Sequence, residues 1–540
     1  MNGVGRGFQG LKVKPGNEKE VVLVWHCSII WLSLPATKNN CMGVKALLSK
    51  PLAAYVHRKH QNWIEHPVEA QKAVFERIIQ KAQGTKFGRD HGFASIKTHA
   101  DFVKAVPVRD YEGLAPYFGQ VKEGEKDVLW PGKPLYLAKT SGTTSGTKYI
   151  PITQDSISNH INGARDALLA YVHETGKAQF LDGKMIFLSG SPELEEVGGI
   201  KTGRLSGIVN HHVPGYLRTN QLPSYQTNCI DDWEAKLDQI IEETLDENMT
   251  LISGIPPWVQ MYFDKLIQQT GKPIKDIFPN FQLFVYGGVN FEPYRKKLFE
   301  SVGKKVDSIE LFPASEGFFA YQDKQNDPGL LLLLDAGIFY EFIPSEEYFN
   351  ENPTRLTIGE VEPGVNYALV VSSNAGLWSY SIGDTVKFTS TKPYKLVVSG
   401  RIKHYISAFG EHVIGEEVEK AMKRAMVRFP EVELIEFTVA PFVSQDNGQS
   451  YHEWLVEFAK EPLNKAAFAE ELDRQLRTFN AYYDDLITGN ILQKLKLTAL
   501  PKGTFQSYMK SQGKLGGQNK VPRLSNDRKL ADGLIEVSKC

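Results

Sequence analysis

The chain has 540 residues, 62 of them basic and 63 acidic, so it exceeds what one hydrophobic core organises and carries no net field to draw it to nucleic acid or an anionic membrane. Hydrophobic residues make up 42%, which fits ordinary globular packing. Cys27, Cys41, Cys229 and Cys540 are too few and too scattered for a disulfide framework or a CxxC zinc site, and they indicate a reducing, cytoplasmic compartment.

The first segment is the least regular. Val21 to Leu34 is an uncharged run preceded by Lys12, Lys14 and Lys19, as in a secretory leader. Glu18 and Glu20 dilute the basic flank, Pro35 sits badly beside the cleavage candidate, and the run is short for a membrane span. The favoured expectation is a non-native or disordered extension over 1–41 with Met42 as initiator, because an ordinary globular pattern starts at Gly43.

From Val68 to Gln80 apolar residues recur at roughly helical spacing and Gly84 supplies a stop, predicting an amphipathic entry helix. Between Leu135 and Phe342, β-rich runs (Leu135 to Ala138, Met185 to Leu188, Thr250 to Ile252, Leu283 to Tyr286, Ser308 to Phe312, Gly337 to Phe342) alternate with helical candidates at Ser156 to His173, Asp232 to Asn248, Pro257 to Thr270 and Pro293 to Val302. That alternation predicts a parallel or mixed sheet covered by helices. Thr385 to Gly400 reads as two short strands closed by Lys392-Pro393. Beyond it come a helix over Gly415 to Phe429, two period-two strands around Phe437 and Val456, and a helix carrying Phe468, Leu472, Leu476 and Phe479. The expected fold class is therefore α/β: a large N-terminal domain over 42–400 and a smaller, mobile C-terminal α+β domain over 401–540, joined by a hinge near Arg401.

The sharpest motif is Thr140-Ser141-Gly142-Thr143-Thr144-Ser145-Gly146-Thr147-Lys148, placed after an apolar strand. Small hydroxyl residues and glycines let backbone N–H groups crowd around phosphate oxygens. It is not Walker A, since Thr147 intervenes before the lysine and no Ser or Thr follows it. Phe312-Pro313-Ala314-Ser315-Glu316-Gly317 offers an aromatic face for a purine and a carboxylate suited to Mg²⁺, although taken alone it reads as a strand-end turn. Tyr380-Ser381-Ile382-Gly383-Asp384 supplies an Asp after a glycine turn, suited to accepting both ribose hydroxyls.

In this order the three segments resemble the adenylate-forming superfamily that includes firefly luciferase and the acyl-CoA synthetases. Within it the chain is most similar to the Gretchen Hagen family of auxin-responsive acyl acid amido synthetases, over about Lys45 to Arg528. The tail Gln518-Asn519-Lys520-Val521-Pro522-Arg523 resembles that family's Gln-x-Lys-x-Pro-Arg segment. The resemblance implies that Ser141, Gly142, Thr143, Thr144 and Ser145 hold ATP phosphates and that Phe312 packs on adenine beside Ala314. It further implies that Ser315 and Glu316 serve nucleotide and Mg²⁺, that Asp384 holds ribose, and that Lys520 is the catalytic lysine of the small domain. Arg401, in Gly400-Arg401-Ile402-Lys403, resembles the superfamily's hinge. Phe312 stands where plant members carry Tyr, and Ser381 where their Tyr-Arg-Val-Gly-Asp has Arg.

The lysine role has an independent basis: carboxylate attack on the α-phosphorus of ATP builds negative charge, which an ammonium delivered by the glycine-rich Gly513 to Gly517 stretch would stabilise. Candidate walls for the acyl and amine sites are His211, His212, Tyr216, Trp258, Gly287 and Gly288, glycines and aromatics near strand ends. The expected activity is ATP- and Mg²⁺-dependent conjugation of a small carboxylic acid to an amino acid amine, with no nucleic acid or membrane partner. A monomer suffices for it, and the oligomeric state stays open. Thioester formation with coenzyme A, and a nucleotide-binding regulatory protein without turnover, are the alternatives.

Overall fold

The computed structural model describes residues 43–143, 146–213, 215–288, 291–402, 405–406, 408–411, 413–444, 450–512 and 521–539. The apolar run Val21 to Leu34 lies outside them. Runs of uninterrupted apolar residues become the central strands of an eleven-stranded sheet. Met249–Ser253 and Leu283–Gly287 are buried at every position but the last, as strands covered on both faces must be. They pair in parallel with each other, with Lys184–Phe187 on one side and with Asp307–Ala314 on the other. The sheet turns antiparallel at Gly317–Gln322 and continues through Leu330–Leu332, Tyr394–Arg401, Tyr380–Thr391, Asn366–Ser373 and Ile338–Pro344.

The helices that cover it follow the predicted periodicity: Pro67–Ala82, Ile157–Thr175, Trp233–Thr244, Pro256–Thr270 and Glu292–Val302. Asp232 ends the loop before Trp233 by accepting a hydrogen bond from the Ala235 N–H at 2.7 Å, a side-chain N-cap. Gly176, Gly271 and Gly303 end three of the others in the left-handed region that glycine adopts without strain. A further helix, Val44–Glu65, precedes the predicted entry helix and packs on Ile157–Thr175. Among the described residues no helix is long and apolar enough to cross a membrane.

Two expectations need correction. The strands around Lys392-Pro393 are not short: Tyr380–Thr391 and Tyr394–Arg401 form a long hairpin built into the main sheet, because Phe388 and Leu396 continue the buried face past the turn. The C-terminal region has a third strand, Gln493–Leu500, which pairs in parallel with Tyr451–Lys460; its alternation is broken by half-buried residues and Lys494 and Lys496. That strand, with Glu433–Phe442, Tyr451–Lys460 and the helices Gly415–Arg428 and Lys465–Phe479, encloses a core of its own around Phe437, Trp454, Phe468 and Leu476. The α/β body with a smaller α+β domain is as the sequence predicts.

Candidate active site

The phosphate motif falls on a pair of antiparallel strands. Tyr136–Thr143 pairs with Gly146–Ile152, and the register slips between Thr140 and Thr143. β-Branched Thr140, Thr143 and Thr147 favour the extended backbone, and the irregularity absorbs Ser141 and Gly142. Thr144, Ser145 and the side chains of Ser141, Gly142 and Thr143 lie outside the described residues. Tyr111 anchors the hairpin: its hydroxyl oxygen accepts the Tyr149 N–H at 3.0 Å, and the Lys148 ammonium lies 5.9 Å from its ring centre.

The second and third motifs meet. Ala314 and Gly317 face each other across the antiparallel pair, so Ser315 and Glu316 form the tight turn between strands. The Glu316 carboxylate is 9% exposed and accepts one hydrogen bond among the described residues, from the Tyr380 hydroxyl at 3.3 Å. Burial and then the Glu316 charge push the Tyr380 phenol well above its ordinary value, so it stays the donor. A carboxylate can accept roughly four hydrogen bonds; Glu316, with a single long one, has capacity for a cation. No group of three or more His, Cys, Asp or Glu side chains suited to a metal occurs among the described residues.

Asp384 is buried on the Tyr380–Thr391 strand, directly after Gly383, whose φ of 86° requires glycine. Its backbone pairs with Arg401, and the Ile402 N–H donates to the Gly383 carbonyl at 2.9 Å. The Arg401 side chain and Lys520 lie outside the described residues, as does the glycine-rich stretch before Lys520. Phe312 is buried and meets Phe319 edge-on at 5.1 Å.

The paired histidines stand beside the hairpin. His211 donates from Nε2 to the Pro192 carbonyl at 2.8 Å, and His212 Nε2 shares a hydrogen bond with the Tyr136 hydroxyl at 3.0 Å. Burial pulls the His212 pKa down, favouring neutral imidazole. The Tyr216 side chain lies outside the described residues. Gly287 permits close strand approach, since a Cβ there would sit 2.5 Å from the Leu311 carbonyl oxygen. Gly288 follows with φ 81°, and Trp258 stands half-buried on the next strand's helix. Trp258, Gly287 and Gly288 share one sheet edge because Met249–Ser253 and Leu283–Gly287 are parallel, which puts their C-terminal ends together, where α/β sheets bind ligands.

Sequence reasoning missed the residues that position these parts. Asn159 clamps the Glu316 turn, accepting the Phe318 N–H at 2.7 Å and donating to the Phe318 carbonyl at 3.0 Å. From the small domain, Tyr482 donates its hydroxyl to the Lys139 carbonyl at 3.0 Å, one residue before the phosphate motif. Arg204 stacks 4.8 Å from the Tyr482 ring centre and ion-pairs with Asp485. These contacts span 281 and 343 positions, beyond any local signal.

Models of the GH3 family N-terminal, central and C-terminal domains match residues 57–228, 331–401 and 416–529. A jasmonoyl–L-amino acid synthetase of Nicotiana attenuata, JAR4, is 23% identical over 534 residues, covering 84% of this chain and 90% of its own length. The indole-3-acetic acid-amido synthetase GH3.3 of Arabidopsis thaliana is 21% identical over 544 residues, covering 84% and 88%. Among solved structures, the AtGH3.15 acyl acid amido synthetase in complex with 2,4-DB superposes with a TM-score of 0.55 at 16% identity, covering 93% and 97%. A 2-hydroxyisobutyryl-CoA ligase in complex with 2-HIB-AMP and CoA has a TM-score of 0.53 at 15% identity, covering 87% and 92%. At these identities the superpositions speak for the fold, while the three domain models, in chain order over most of the sequence, show that the chain belongs to the GH3 family.

Proposed function

We propose that this protein is an ATP-dependent acyl acid amido synthetase, which activates a carboxylic acid as its acyl-adenylate and transfers the acyl group to an amino acid amine. The observation that carries the reading is the contact of Glu316 with Tyr380, which joins two motifs 64 residues apart. Tyr111 links them to the phosphate hairpin, being bonded to Tyr149 and an electrostatic neighbour of Tyr380. The names of the family relatives support the same chemistry.

In the first half-reaction the acid's carboxylate attacks the α-phosphorus and pyrophosphate leaves. In the second the amine attacks the acyl carbonyl, loses a proton, and AMP leaves. Ser141, Gly142, Thr143, Thr144 and Ser145 hold phosphate, Phe312 and Ala314 border adenine, and Asp384 takes the ribose hydroxyls. Glu316 would hold Mg²⁺, which supplies charge neutralisation at the phosphates. Lys520 supplies an ammonium to the charge that develops at phosphorus, and Arg401 marks the pivot between domains 42–400 and 401–540. Trp258, Gly287, Gly288 and the segment from His211 to Tyr216 border the organic substrates. A cytoplasmic location follows from the few, scattered cysteines, of which Cys229 is free.

Pyrophosphate release over a carboxylic acid panel, with amino acids or coenzyme A added in turn, tests the reading, with mass spectrometry of the product. Acid-dependent release and an amide of the expected mass are predicted. A thioester would replace the acceptor, and failure to bind ATP in calorimetry would overturn the reading.

A further inference from the structure

Buried polar atoms without partners are few in folded proteins, because each costs about 1–3 kcal/mol. Here five of them belong to Ser189 and Asn228, whose carbonyls bind the Lys236 ammonium, and to the neighbouring Trp233 and Trp258. Lys236 is 3% exposed and donates to the carbonyls of Ser189 at 3.0 Å and Asn228 at 2.7 Å. It pairs with no carboxylate among the described residues, and its third proton has no acceptor there. Ser189 Oγ, both polar side-chain atoms of Asn228, and the indole nitrogens of Trp233 and Trp258 are buried without a partner among the described residues. Trp233 lies one helical turn before Lys236, and its ring centre is 4.8 Å from that of Trp258.

The chemistry of this set is lopsided. An ammonium and indole N–H groups only donate, and the Asn228 amide and Ser189 hydroxyl add further donors, against two unused acceptor atoms, Asn228 Oδ1 and Ser189 Oγ. Such a set calls for an anion with several acceptor oxygens. Cys229 and Asp231 favour the ammonium electrostatically and Arg204 opposes it. Burial pulls the Lys236 pKa down to about 8, the direction expected of a cation whose counter-charge is missing.

The place selects the anion. Ser189 follows strand Lys184–Phe187 and Trp258 follows Met249–Ser253, on the strand-end edge that also carries Gly287 and Gly288. Ile255, which starts the Trp258 helix, would lie 3.8 Å from a Cβ at Gly288. The carboxylate of the acyl acid is consumed at phosphorus, so a fixed ammonium would hold it away from reaction. The amino acid's carboxylate is a spectator and needs a holder.

We propose that Lys236, with Ser189, Asn228, Trp233 and Trp258, binds the α-carboxylate of the acceptor amino acid. Asn228 Oδ1 is left to receive a hydrogen bond from the amine. The inference rests on the amido synthetase reading but is tested apart from it. Each proteinogenic L-amino acid is compared with its own carboxamide, in amide formation and in calorimetric binding. Wild-type protein favours the acid form of its preferred amino acid at least tenfold in KM. Lys236→Met raises that KM tenfold or more and moves the carboxamide KM less than twofold, so discrimination collapses while the acyl acid KM shifts far less. Asn228→Asp, isosteric and placing a charge against the carboxylate, has the same effect and covers the case that Lys236→Met does not fold. Retained discrimination in a folded variant, or none in wild type, overturns the proposal. Carboxylate discrimination in calorimetry without acid-dependent pyrophosphate release would instead sink the synthetase reading and leave this site standing.

Discussion

Glu316 has one long hydrogen bond among the described residues in a buried turn, so its charge is left largely uncompensated there. Glu316→Gln keeps the shape and removes the charge, and a drop of about 100-fold or more in acid-dependent pyrophosphate release is expected, on the scale of losing one preorganised electrostatic contact. Glu341 is the opposite case. It is fully buried yet receives Arg355 through Nε at 2.9 Å and a second nitrogen at 2.8 Å, with His99 at 2.8 Å. Burial alone would raise its pKa, but hydrogen bonds from His99 and Arg355 together with the Arg355 charge outweigh it and hold the carboxyl below its usual range. Arg355→Met should therefore cost about 3–5 kcal/mol in denaturant unfolding, the penalty for leaving a buried charge alone. His160 is buried with Nδ1 unpartnered among the described residues, and burial drags its pKa to about 4. The unfolded chain takes up a proton near pH 6.5 while the fold refuses it until about 4, so stability falls as pH drops through that window, by up to about 3 kcal/mol at 1.36 kcal/mol per unit. His160→Gln should flatten the urea midpoint between pH 7 and 5; an unchanged slope would refute the assignment.

At the scale of elements, helix Ala481–Thr488 touches the large domain through Tyr482 and Asp485, both bound by Arg204. The ion pair is half-exposed and contributes about 0.2–1 kcal/mol, the stacked cation about 0.5–1 kcal/mol. Arg204→Ala should then weaken this docking by roughly tenfold, since 1.4 kcal/mol is a factor of ten. The readout is faster proteolysis between the domains and altered amide formation; unchanged cleavage would show that the contact carries no weight. The elements themselves were legible to different degrees. Met249–Ser253 and Leu283–Gly287 are covered on both faces, so composition alone marks them. The region around Gly142 carries no strand signal, because Ser and Gly have weak strand preference, and only pairing with Gly146–Ile152 makes it extended. Gln493–Leu500 escaped for a related reason: half its residues face partial solvent, which blurs the period-two pattern.

For the whole molecule, a nucleotide bound only by the folded state stabilises it by about 2.7 kcal/mol at 100 times its Kd. ATP with Mg²⁺ should raise the unfolding midpoint in a concentration-dependent way, and Glu316→Gln should reduce that rise. The sequence by itself determined the α/β body, the smaller α+β domain and the three motifs, because apolar periodicity and glycine-hydroxyl clusters act over a few residues and leave local traces. Only the tertiary structure decided that Glu316 meets Tyr380, that Asn159 clamps the turn and that Tyr482 reaches Lys139. The charged group at Lys236 was equally hidden: its neighbours come from the ends of two parallel strands and a helix between them, and side chains brought together by sheet pairing have no spacing in the chain to announce them.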